Sequence, residues 1–401
     1  MFGLGKLFRK KEPSVDEVAL ALIPHLRHLR PTSTFEFDAA MQAIRVTDGG
    51  VINLANLHTD YVRTPPDRRE QALQTFAMGV LPPEVPATLA DAKGDLLPAL
   101  RYLGGIDQSR IVAEHDSLDG ITEGMLPLSP TLLVSVVHDT EHAMQQVSAE
   151  RMRAWGMTPS QVLDIAVDNL RHKAPPRFHE LSPGLWCSDY GDYYDAARVL
   201  LPELAWQLGL AGSPVAMVPN RACLLLAGER DGPALMAMVA KAREVLVSES
   251  RPLSSEMFRL QEGRWQPWRP PASDAALALG RLQAEVLAGD YAAQKQALDE
   301  LHQRRERDVF VASFTLVEKP DGRLVSYSVL SKGVDTWLPR TERVVFVEPD
   351  SPKAAKKIVA WEVFEAGLAA HIDVLNFVPP RFHVRKHPSD DEIAALPESE
   401  L

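Results

Sequence analysis

The apolar residues of this chain are gathered into many short runs, and that pattern constrains the fold more than any other feature. TLLVSVV (131–137), GLWCS (184–188), PVAMV (214–218) and ACLLLA (222–227) read as buried strands. Asn220 and Arg221 separate the last two as in a hairpin. Pro320-Asp321-Gly322 likewise separates VFVASFTLV from RLVSYSVLS, and RVVFVE (343–348) adds another strand. Near the start, FEFD, AIRVT and VINLA form three short strands, with Asp48-Gly49-Gly50 as a turn.

Helical signals lie between these runs. Residues 14–30 read as a helix capped by Ser14, with Pro24 as a kink or break. Further helices are expected near 66–79 and 88–103, followed by a loop-rich passage over 104–129. In MTPSQVLDIAVDNLRHK, Thr158 caps, Pro159 takes the first helical position and Gln161 completes a capping box. Asp231 and Pro233 open a helix to about Ser248. Two helices near 274–288 and 290–306 follow, then one over SPKAAKKIVAWEVFEAGLAAH, capped by Ser351 with Pro352 in its first turn. Strands and helices mix without strict alternation, so the expected class is α+β, with mixed or antiparallel sheets and two to three domains. The expected division is 1–127, a core at 128–250, a Pro/Ser/Trp-rich linker at 251–273, a domain at 274–388, and an acidic, mobile tail at 389–401.

Composition narrows the function classes. A formal net charge of -11 on 401 residues argues against broad nucleic-acid binding, which needs a concentrated Lys/Arg surface. The 2 cysteines, Cys187 and Cys223, sit in apolar runs and read as buried reduced thiols. No apolar run reaches the ~20 residues that span a bilayer and no signal-peptide core is present, so the expected compartment is the cytoplasm. MFGLGKLFRKK (1–11) mixes Phe and Leu with Lys and Arg. It is either a frayed terminus or a weak peripheral membrane contact.

His138 and His142 in HDTEH have the spacing of a zinc pair, but Asp139 stands where that motif has glutamate, no third ligand is marked, and a surface loop is the simpler reading. No GxSxG, GxGxxG or CxxC occurs in a supporting context, so neither a metal nor a cofactor is expected.

The densest chemistry is SDYGDYYDAARVLLPEL at 188–204. As a helix entry it places Asp192 at the N-cap and Asp195 in the first turn. Tyr193, Ala197, Leu200, Leu201, Leu204 and Leu208 then form a buried stripe. Asp195 and Arg198 are spaced for an ion pair beside Tyr194, and Pro202 kinks the helix or starts a second one.

From 131 to 248 the order of motifs resembles the YtpQ-like family, bacterial proteins without an assigned activity. The matching pieces are VVHDTEHAM, MTPSQVLDIAVDNLR with Asn169 and Leu170, DYYDAARVLL as an Asp-x-Tyr-Asp-Ala-x-Arg entry, and MVPNRACLLLAG. Ala222 stands where relatives often carry an acid. The resemblance points to Asn169, Asp192, Tyr194, Asp195, Arg198 and Asn220, with Asn169 or Arg198 holding the 192 helix against the 219–221 turn or with the set lining a ligand cleft. Two functions are expected: an interaction or scaffold protein with a protein partner, from the missing catalytic signatures, the several domains and the Pro/Trp-rich connector, or an enzyme or small-ligand binder using this cluster.

Overall fold

The computed structural model describes every residue except 1–11, 40, 48–49, 81–84, 116, 141–143, 250 and 349–354. The N-terminal amphipathic segment, the Asp48-Gly49 turn, His142, and Ser351 with Pro352 therefore lie outside the described residues. The architecture is α+β, with antiparallel and mixed sheets. The chain forms two compact units, each built from two stretches: Met1–Pro98 with Ser135–His172, and Ala99–Val134 with Lys173–Leu401.

In the first unit, the helix Val15–Leu29 starts at a reciprocal capping box. Ser14 Oγ accepts the Glu17 amide at 3.3 Å, and Glu17 Oε2 accepts the Ser14 amide at 2.8 Å. Its Val18, Leu22 and Leu26 pack on the antiparallel strands Phe35–Asp38, Ala43–Val46 and Gly50–Asn53. Pro24 does not break this helix, which runs on to Leu29. The helix Pro159–Lys173 carries the expected capping box, Gln161 amide to Thr158 Oγ1 at 3.3 Å and Thr158 amide to Gln161 Oε1 at 2.9 Å. It buries Val162 and Ala166 against Leu96 and Val136.

The helix expected over 88–103 is a single turn, Leu89–Ala92, followed by the strand Leu96–Tyr102. Pro98 cannot donate in a helix interior, and a short, fully buried apolar run suits a strand equally well. The passage after it contains the helix Leu103–Val112 where loop was expected.

The second unit is organised by a six-stranded antiparallel sheet. Its order is Arg264–Pro267, Met257–Gln261, Pro214–Asn220, Cys223–Gly228, Leu185–Ser188 and Phe178–Ser182. The helix Gly232–Ser248, capped by Asp231 through the Ala234 amide at 3.0 Å, lays Leu235, Met238 and Ala242 on Val215, Met217 and Leu225. Asp274–Arg304 is one continuous helix rather than two, and Leu279 and Leu282 join the same core. Gly289 costs such a helix only about 1 kcal/mol, which packing on both sides overrides.

Two four-stranded sheets complete this unit. The hairpin at 319–323 forms as expected, with the Gly322 amide bonded to Lys319 O at 2.9 Å. The helix expected from Ser351 is instead the strand Ala355–Ala360, paired with Arg343–Val347, and only Trp361–Gly367 is helical. Ile358 and Val359 are branched residues suited to a pleated surface. The tail is also ordered. Ser389 and Glu392 form a capping box on the short helix Asp390–Ala395, which buries Ile393.

Candidate functional site

The chain leaves the strand Leu185–Ser188 and turns sharply before reaching a 3₁₀ helix at Ala196–Leu200 and a single α-turn at Glu203–Trp206. The expected helix over 192–208 does not form. Gly191 and Tyr193 both hold left-handed backbone, with φ of 67° and 63°, so no helical turn can begin at Asp192. Pro202 then separates the 3₁₀ helix from the α-turn, as its missing amide requires.

Two side-chain roles change with the backbone. Asp192 is no helix cap: its Oδ1 accepts the Tyr194 amide at 3.0 Å across the turn. Arg198 bonds Asp192 rather than Asp195, with Nη1 to Oδ1 at 2.9 Å and Nη2 to Oδ2 at 2.8 Å. This is the bidentate fork geometry that makes arginine–carboxylate pairs strong. The guanidinium lies over the Tyr190 ring, 3.4 Å from its centroid, and that ring meets Phe178 edge-on. Arg198 is 1% exposed.

Asp195 is buried and accepts the Tyr190 amide at 3.0 Å, closing the turn from the other side. The tyrosines also exchange places. Tyr193, expected in the buried stripe, is 62% exposed, and Tyr194 is 2% exposed. A left-handed residue redirects its side chain away from the face a helix would give it. Asn220 is buried in the adjoining strand and accepts the Ala222 amide at 3.0 Å. The contact between the 196 turn and the 219–221 turn is made by backbone, Ala196 amide to Arg221 O at 3.2 Å. Ser188 Oγ accepts the Leu224 amide at 3.1 Å and fixes the turn's base.

Asn169 belongs to the first unit. Its amide nitrogen donates to Lys93 O at 2.8 Å and Leu96 O at 2.9 Å, fixing the entry to the Leu96–Tyr102 strand. Of the six residues singled out in the sequence, five lie in one turn system and Asn169 works elsewhere.

Burial acts to raise the Asp192 carboxyl. Hydrogen bonds from Arg198 and the Tyr194 amide, with the nearby charges of Arg198 and Lys173, hold it below the usual carboxylate range. The hollow beside Tyr193 and Arg221 has room for only about 10 Å³, far below the few hundred that small-molecule sites occupy.

Two features escaped the sequence reading. Tyr102 donates its hydroxyl to Asp290 Oδ2, and burial pushes that carboxyl up to about 6. Ser129 and Thr131 both donate to Glu256 Oε2, at 2.5 and 2.6 Å. These partners are far apart in sequence, and no local motif announces them. A groove of about 450 Å³ runs along the long helix, lined by Tyr291, Lys295, Asp299, Ser313 and Phe314. Its Lys295 is tied to Asp299 at 2.7 Å and to Val311 O at 2.8 Å.

His138 is buried, with Nε2 3.8 Å from Asp95. Among the described residues no group of three or more His, Cys, Asp or Glu side chains is placed to hold a metal, and no helix is long and apolar enough to cross a membrane. No family model, curated protein or solved structure matches the chain.

Proposed function

We propose that the protein is a cytoplasmic interaction protein and that the 188–206 turn system presents Tyr193 to a protein partner. One observation carries this reading. Tyr193 holds a left-handed conformation, φ 63°, while 62% exposed, so burial of its ring does not offset a cost of about 1–2 kcal/mol. Strain of this kind at an exposed aromatic favours a role in recognition, because tyrosine and tryptophan are the side chains most often found at interaction hot spots. Trp206, 59% exposed at the end of the same segment, is the second aromatic offered to the partner.

The interaction reading is supported over the ligand-binding one by the state of the polar groups. Asp192 and Arg198 bond each other, and Asp195 and Asn220 bond backbone amides. A ligand would have to displace these bonds in a space too small to hold it. The YtpQ-like assignment of 131–248 rests on motif order and remains part of this proposal.

The test is to place a photo-crosslinking amino acid at position 193 in growing cells. The expected outcome is one discrete adduct that weakens when Trp206 is replaced by alanine. The same crosslinker at exposed Val247 gives no such adduct. Identical patterns from 193 and 247 would remove the support for a specific partner surface.

A further inference from the structure

The chain's 2 cysteines are not merely separate small apolar residues: Cys187 Sγ and Cys223 Sγ lie 3.9 Å apart, both reduced and both buried. Strand register explains why. Cys187 is paired with Leu225 across the ladder, and Cys223 lies two residues from Leu225 on the same face. Both therefore point into the core beneath the helix Gly232–Ser248. Their enclosed loop, 188–222, contains Asp192, Tyr194, Asp195, Arg198 and Asn220.

We propose that Cys187 and Cys223 are a redox modification site. An oxidant of the peroxide class converts the two thiols into an intramolecular disulfide that closes the chain around the whole Asp192–Arg198 turn system. A disulfide places its sulfurs about 2.05 Å apart, so these must approach by about 2 Å from their present contact. They occupy diagonal positions on one face of two bonded strands, about 7–8 Å apart at Cα, so the strands must also shift for the bond to close.

The shared hydrogen bond makes the thiols unequal. The contact with Cys223 lowers Cys187 despite burial, and the same contact, with burial, raises Cys223. Cys187 is also the more exposed of the two, 8% against 4%, and is thus the attacking sulfur. Its thiolate displaces hydroxide from the peroxide oxygen–oxygen bond and becomes a sulfenic acid. Cys223 sulfur then attacks Cys187 sulfur, the sulfur–sulfur bond forms and the sulfenic oxygen leaves as water. In sum, two thiols and one hydrogen peroxide give one disulfide and two waters. The sulfurs lose two electrons and the peroxide oxygens gain them.

The experiment uses the full reduced chain, treated with hydrogen peroxide at neutral pH without denaturant, then unfolded and labelled with a maleimide. Both labelled thiols should disappear, and the peptides bearing Cys187 and Cys223 should appear joined with the loss of two hydrogens. Dithiothreitol should restore both labels, and the oxidised chain should melt at a higher temperature than the reduced one. Thiols that stay labelled, sulfinic acids on unjoined peptides, or disulfides only between chains would each overturn the proposal. A Cys223→Ser variant should stop at a Cys187 sulfenic acid that dimedone traps. No adduct there would overturn the role given to Cys187.

Discussion

Asp192 and Asp290 are both partly buried carboxylates of the second unit, and their surroundings push them in opposite directions. Asp192 faces a bidentate guanidinium and falls below its ordinary value of 3.8, whereas Asp290 receives only a phenol hydrogen bond and rises to about 6. Burial opposes the charged form at both. The balance between burial and the partner's charge decides which way the group moves. The pair also separates two kinds of local architecture: a turn held by opposite charges, and a helix–strand contact that carries the cost of an acid without a cation.

The largest expected effect comes from removing the counter-charge. Asp192→Asn leaves a fully buried Arg198 without its anion and should cost about 3 kcal/mol at pH 7, measured by urea unfolding. Its pH dependence is set by the sign of the shift. A carboxyl lowered in the folded state contributes stability that is complete above the unfolded value, and that contribution is lost as pH falls through the folded one. Unfolding curves of the wild type and Asp192→Asn should therefore draw together as pH falls below 3.8.

Asp290→Asn should do the reverse, with a smaller effect. The folded protein takes up a proton between about 6 and 3.8 that the unfolded chain does not, so the charged form is penalised at neutral pH. The amide keeps the Tyr102 hydrogen bond and removes that penalty. A gain on the order of 2 kcal/mol at pH 7 should shrink toward zero by about pH 4. A gain that is constant over this range would remove the contrast between the two aspartates.

The smallest effect is expected at Tyr193. Glycine adopts left-handed backbone freely but adds entropy to the unfolded chain, so Tyr193→Gly should leave stability unchanged or raise it by up to about 1 kcal/mol. Its buried neighbour differs: Tyr194→Ala should cost about 3 kcal/mol by thermal unfolding. Equal losses at 193 and 194 would mean that the Tyr193 ring packs.

Local chemistry was legible wherever a few neighbouring residues decide the outcome. The cap at Ser14, the capping box at Thr158 and the hairpins at 220–223 and 319–323 form as their sequences predict. The helices expected at 88–103 and 351–371 failed because short apolar runs do not distinguish a buried strand from a helix. At the site, residue types announced a polar turn. The positive φ at Tyr193 did not, because tyrosine carries no preference for it. That backbone value turned Asp192 from a cap into the partner of Arg198, six residues on, and exchanged Tyr193 with Tyr194. Tyr102 and Asp290 were invisible for a different reason, since only the tertiary fold brings them together.

The central claim is that Asp192 and Arg198 are used on each other and hold the turn that presents Tyr193. A double-mutant cycle of Asp192→Asn and Arg198→Leu, read by urea unfolding at pH 7, measures that use directly. The predicted coupling is about 2 kcal/mol or more. A coupling below about 0.5 kcal/mol would show the two side chains acting independently and would contradict the account.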